Sequence, residues 1–108
     1  MKLLSSHDEV FLLAILNLGD NAYGVTIRRE VSKATGEEWS IGAIYDPLYR
    51  LENKGLIRSS LSNSTPERGG RSKRMFKIRP EGAKALLAHK RVREGLWRSI
   101  GNAAVESK

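Results

Sequence analysis

Six basic side chains, Arg68, Arg71, Lys73, Arg74, Lys77 and Arg79, crowd around Gly69-Gly70 in the segment TPERGGRSKRMFKIR at 65–79, opposed only by Glu67. Guanidinium and ammonium groups at that density neutralise and hydrogen-bond oxyanions, phosphates above all. The two glycines carry no side chain, so the backbone beside them can come close to a polyanion. No rival chemistry is spelled out elsewhere. The chain has no cysteine, which excludes a disulfide framework, a thiol nucleophile and a thiolate metal site. His7 and His89 are far apart and form no ligand motif, so no metal is expected. No Ser/His/Asp set can be placed together, and Gly69-Gly70 between two strands is not a phosphate-binding loop between strand and helix. The sequence therefore reads as a binding protein and not an enzyme, with no resident cofactor.

The basic excess is local. The chain of 108 residues carries a net charge of +7 with a pI near 10.1, which points to a polyanionic partner or a charged surface. Residues 1–36 are neutral and 37–54 are slightly acidic, while 55–79 carry an excess of six cations and 80–108 a weaker excess. The longest apolar run, Val10 to Leu16, is too short to span a bilayer and no signal peptide is visible. A cytoplasmic protein without a membrane partner is expected.

The elements around the basic segment follow from caps and spacing. Ser6 with Glu9 reads as a capping box opening a helix over 7–18, apolar nearly all round through Val10, Phe11, Leu12, Leu13, Ala14, Ile15, Leu16 and Leu18. Such a helix must be buried on more than one side. Gly19-Asp20-Asn21 ends it and supplies the next cap. A second helix is expected over 22–34, with Tyr23, Ile27, Val31 and Ala34 at helical spacing. Ser40 caps a third helix over 41–53 that turns Ile44, Leu48 and Leu51 inward. Gly42, Ala43, Asp46, Tyr49, Arg50 and Asn53 face out, with Tyr45 at the boundary. Two strands at 56–61 and 74–79 flank the glycine pair. Pro80 opens a last helix to about 103, striped by Ala85, His89, Val92, Leu96, Ile100 and Ala103, with Trp97 alongside.

The order helix, helix, helix, hairpin, helix is a winged helix-turn-helix: mainly α with a small β-hairpin, plus a C-terminal dimerisation helix. Residues 1–79 make the DNA-binding core, and 80–108 the dimerisation helix and a frayed tail, within one structural domain. The third helix would enter the DNA major groove. The wing would lie along phosphates or in the minor groove.

The segment Ala22 to Ile78, with AYGVTIRREV, SIGAIY, LYRLENKGLI and TPERGGRSKRMFKI in order, resembles the PadR family of bacterial transcriptional regulators. The short length and single C-terminal helix look like that family's short-tailed branch. The resemblance implies a homodimeric winged-helix DNA binder, usually a repressor, whose C-terminal helix builds the dimer. It maps Tyr45 onto the family's recognition-helix tyrosine and Gly70-Arg71 onto its wing Gly-Arg. Some members hold flat aromatic molecules between aromatic side chains at the dimer centre. Trp97 is the residue here that would do so, against the plainer reading of an interface tryptophan.

Three positions depart from the family pattern. Asp46 puts a negative charge on a surface meant to meet DNA. Pro47 removes a helical hydrogen bond at a cost of up to ~3 kcal/mol, so the third helix is expected to kink or to start later. Arg79 stands where a capping threonine is common.

The DNA-binding residues expected on the recognition helix are Ser40, Gly42, Ala43, Tyr45, Asp46, Tyr49 and Arg50. Those on the wing are Arg68, Gly69, Gly70, Arg71, Lys73 and Arg74, and Arg28 and Arg29 are set to reach the backbone. The dimer interface is expected at Phe11, Ile15, Ala85, His89, Val92, Leu96, Trp97 and Ile100. The plainer alternatives are that Tyr45 and Tyr49 pack on the second helix, and that Arg50 pairs with Glu52 or Asp46. Two other functions remain open: an RNA-binding winged helix, and a protein-interaction module that has lost specific DNA binding.

Overall fold

Among the described residues, serine hydroxyls open two of the four α-helices. The computed structural model describes residues 2–62 and 72–106, with the backbone alone at 102–104. In it the Asp8 N–H donates to Ser5 Oγ at 3.1 Å and starts α1, Ser6–Leu18. The cap is thus Ser5 and not Ser6. That one-residue shift puts Asp8 at the third helical position, where its backbone N–H is the one the cap satisfies.

A short 3₁₀ turn, Gly19–Asn21, leads to α2, Gly24–Thr35. The expected start at residue 22 with Asn21 as cap is corrected: Tyr23 is the N-cap, and its N–H donates to Thr26 Oγ1 at 3.0 Å. Ala22 and Tyr23 are extended instead. The Phe76 N–H donates to the Ala22 carbonyl at 2.9 Å, and Tyr23 bridges Met75. The stretch before α2 therefore runs as a third rung beside the wing.

The third helix, α3, spans Ile41–Asn53, and its Ala43 N–H donates to Ser40 Oγ at 3.1 Å. It neither starts late nor breaks at Pro47. The proline is buried alongside Ile44, Leu48 and Leu51, so apolar burial offsets the missing hydrogen bond. Gly55, at φ +76°, takes the left-handed conformation that turns the chain out of α3.

The wing pairs β1, Ile57–Leu61, antiparallel with β2, Arg74–Ile78, in the register Ile57↔Ile78 and Leu61↔Arg74. Phe76 is buried while Lys77 faces out, as the alternation predicts. The last helix, α4, spans Pro80–Glu106 with a break at Gly101, at φ 71° and ψ 160°. The stripe expected to run to 103 is thus carried on continuous helix only to Ile100.

Phe11, Leu12, Ile15, Ile27, Val31, Ile44, Leu48, Leu51, Ile57 and Phe76 form the core between α1, α2, α3 and the wing. Each contributes about 1.5–3 kcal/mol by leaving water. The expected mainly α winged helix-turn-helix with a small hairpin is the fold observed. Among the described residues no helix is long and apolar enough to cross a membrane.

Candidate nucleic-acid interface

The outward face of α3 is set by what the inward face buries. Because Ile44, Pro47, Leu48 and Leu51 turn into the core, Gly42, Ala43, Asp46, Tyr49 and Arg50 are left exposed, with Ser40 exposed at the cap. Tyr45 is half-buried at the boundary, as its position predicts. Its ring stacks on Tyr49 with centroids 5.8 Å apart and planes at 29°. Its hydroxyl lies over Gly24, where any Cβ would collide with it. Gly24 is therefore what lets the two helices of the helix-turn-helix approach, a role not read from the sequence.

Arg50 pairs with neither Glu52 nor Asp46. Its guanidinium donates to Asp8 Oδ1 at 2.7 Å, and Lys54 donates to Asp8 Oδ2 at 3.1 Å. The Asp8 side chain is 2% exposed, while those of Arg50 and Lys54 are 46% and 42% exposed. Burial by itself would raise the Asp8 carboxyl. The hydrogen bonds and charges of Arg50 and Lys54 outweigh it and hold the group below its ordinary range. This clamp fixes the C-terminal half of α3 to the first turn of α1. Glu52 serves the wing instead, accepting from the Ser59 N–H at 3.1 Å and the Ser59 hydroxyl at 2.6 Å.

The base of the wing completes the surface. Arg74 donates to Ser59 Oγ at 3.0 Å, and Lys73 Nζ lies 4.1 Å from the centre of the Tyr23 ring. Between wing and helices runs a groove of about 600 Å³ lined by Tyr23, Gly24, Val25, Ile41, Tyr45, Ser72, Lys73 and Arg74. The N-termini of α2 and α3 both reach it, at Gly24 and Ile41, so two helix dipoles and two cations present positive potential to one concavity. Arg28 is half-buried and Arg29 exposed on α2. The wing-tip residues Arg68, Gly69, Gly70 and Arg71 lie outside the described residues.

The residues expected at a dimer interface divide. Phe11 and Ile15 are 0% and 2% exposed, and His89 is 8% exposed. The chain's own packing uses them up, so they are corrected from interface to interior. Phe11 meets the Trp39 ring edge-on at 5.4 Å, and His89 Nε2 lies 3.7 Å from Glu9, which also accepts from Arg93. Ala85 and Val92 are half-buried. Leu96, Trp97 and Ile100 stand 65%, 44% and 57% exposed, and Leu13 and Leu16 of α1 are exposed as well. Leu13 and Leu16 line an apolar groove of about 550 Å³ with Leu86 and Leu87 of α4.

A helix-turn-helix with a cationic hairpin set beside its exposed third helix defines the class of winged-helix transcriptional regulators. The characteristic sequence of the transcriptional regulator PadR-like family matches residues 12–88, most of the chain, and the chain belongs to that family. It is a transcriptional regulator and not an enzyme. Among solved structures, a PadR-like transcriptional regulator from Bacillus cereus has a TM-score of 0.71 at 22% identity, covering 89% of this chain and 88% of that one. A PadR family transcription regulator from Clostridium difficile has a TM-score of 0.61 at 28% identity, with 88% and 91% covered. A transcriptional regulator from Clostridium thermocellum has a TM-score of 0.65 at 25% identity, with 86% and 87% covered. No curated protein sequence matches the chain.

Proposed function

We propose that the chain acts in the cytoplasm as a homodimer that binds a pseudo-palindromic DNA operator sequence-specifically and represses transcription. The observation that carries this reading is the exposed face of α3, Gly42 to Arg50, beside the cationic groove at the wing base. Small residues on the first turn let the helix come close to base edges, and Tyr45, Asp46 and Tyr49 supply the polar contacts. Lys73 and Arg74, with Arg68, Gly69, Gly70 and Arg71 of the wing tip, take the phosphates, and Arg28 and Arg29 reach the backbone from α2. These cations supply most of the affinity, and α3 supplies the choice of site.

The apolar surface left on one chain supports the second copy. Leu13 and Leu16 line the α1–α4 groove, and Leu96, Trp97 and Ile100 continue along the outer half of α4. Two protomers joined there would set their recognition helices about one DNA turn apart. A flat aromatic effector at the Trp97 pair, or another event that changes the angle of α4, would alter that spacing and so the affinity for the operator.

The test is binding of the purified protein to a labelled duplex from upstream of its own gene, against a random duplex, across a salt series. Tight, salt-sensitive binding that prefers the upstream duplex is the expected result. Equal binding to both would reduce the wing to a non-specific anchor. No binding at low salt would favour a protein-interaction module.

A further inference from the structure

Asp46 is an exposed carboxylate on the outward face of α3, and among the described residues it has neither a hydrogen bond nor an ion pair. Its ordinary helix partner would be Arg50, one turn later. That guanidinium is turned away to Asp8 at 2.7 Å, and Lys54 goes to the same carboxylate. The clamp that orients α3 thus also takes Arg50, the helix neighbour one turn on, away from Asp46. One turn earlier on this face stand Gly42 and Ala43, which carry little or no side chain on that side of the carboxylate.

A protein of net charge +7 therefore carries, on the outward face of α3, an anion that no cation among the described residues pairs with. Against phosphate such a group only repels. Against base edges it selects, because an ionised carboxylate accepts hydrogen bonds and cannot donate them. The major groove offers two donors, the cytosine N4 amine and the adenine N6 amine. Adenine sets its N7 acceptor beside that amine and so repels a carboxylate, whereas cytosine sets a C5–H there. We propose that Asp46 is a specificity-determining residue that accepts a hydrogen bond from the N4 amine of a cytosine at one position in each operator half-site. This rests on the operator reading given above. By the same charge, Asp46 weakens binding to sequences that lack the cytosine.

The experiment is selection from a randomised duplex library with the full chain, with Asp46→Asn and with Asp46→Ala, followed by affinity measurements on the selected duplex with that single base pair changed. The wild type is expected to enrich cytosine at one position per half-site, and changing it to thymine should weaken binding about tenfold or more. Asp46→Asn, whose amide both donates and accepts, should enrich adenine at that position and leave the others alone. Asp46→Ala should lose preference there and bind random duplex more tightly. The same base at every position for all three proteins would overturn the assignment while leaving the operator reading intact. A wild type that enriches no sequence would overturn both.

Discussion

The Arg50 guanidinium meets the Asp8 carboxylate at 2.7 Å across a sequence separation of 42, joining α3 to the first turn of α1. With Lys54 on the other carboxylate oxygen, one buried anion holds two cations from the end of α3. The neighbouring Glu9 receives Arg93 and faces His89 of α4. Two adjacent carboxylates on α1 thus tie α3 on one side and α4 on the other.

Asp8→Asn should keep the shape of that joint and remove its charge. Breaking a buried ion pair costs about 3–5 kcal/mol when the remaining charge stays buried. Here Arg50 and Lys54 are nearly half exposed and can turn to water, so the expected loss is smaller, about 2 kcal/mol. For a domain of this size that lowers Tm by roughly 8–16 °C, readable by differential scanning calorimetry.

The same residue sets an acid limit. The Asp8 carboxyl is held below its ordinary range in the folded chain, so the unfolded chain takes up its proton first as pH falls. The stabilisation is fully present above the ordinary carboxylate value, about 3.9, and is lost as pH falls through the lower folded value. Urea unfolding should therefore show a constant gap between wild type and Asp8→Asn from about pH 5.5 to 7.5, shrinking below about pH 4. A gap that widens towards acid would contradict the clamp.

Three glycines should respond with opposite signs to alanine. A Cβ at Gly82 would run into the backbone carbonyl of Leu56, and one at Gly24 into the Tyr45 hydroxyl, while Gly95 has open space. Gly82→Ala should cost about 1–3 kcal/mol, because the carbonyl cannot step aside. Gly24→Ala should push Tyr45 outward and weaken DNA binding more than it lowers stability. Gly95→Ala, in the middle of α4, should stabilise by about 0.5–1 kcal/mol. Chemical denaturation and duplex binding of the three variants separate these outcomes.

Lys73→Ala combined with Arg74→Ala should weaken binding to upstream and random duplexes alike. The slope of log affinity against log salt should drop by about 0.9 for each phosphate no longer neutralised. An unchanged slope would mean that the base of the wing does not lie on the DNA backbone.

Trp97→Glu combined with Leu16→Glu should give monomers in analytical ultracentrifugation at concentrations where the wild type is expected to form dimers. Both side chains are exposed on the single chain, 44% and 48%, so helical circular dichroism should be unchanged. Dimers that survive the pair of charges would move the interface elsewhere.

Local signals made most of the fold legible in the sequence. Ser40, the inward trio Ile44, Leu48 and Leu51, and the alternation at Phe76 and Lys77 place α3 and the wing correctly. What escaped depends on contacts between distant positions. Asp8 reads as a first-turn carboxylate until α3 brings two cations to it. Phe11 and Ile15 look like Leu13 and Leu16 on a helix apolar all round, and only the packing of α2, α3 and the wing decides which pair is buried. The pairing of Ala22 with Phe76 cannot be seen in so short an extended stretch. Pro47 suggests a late start for α3 because propensity is local, whereas the buried face that holds the helix together from Ile41 is not.

Hydroxyl-radical footprinting on the duplex selected by the wild-type protein tests the central claim most directly. Two recognition helices on a two-fold dimer should leave two symmetric protected patches whose centres lie about one helical turn, roughly 10 base pairs, apart. A single patch, or protection without two-fold symmetry, would contradict a dimer reading a pseudo-palindrome through α3.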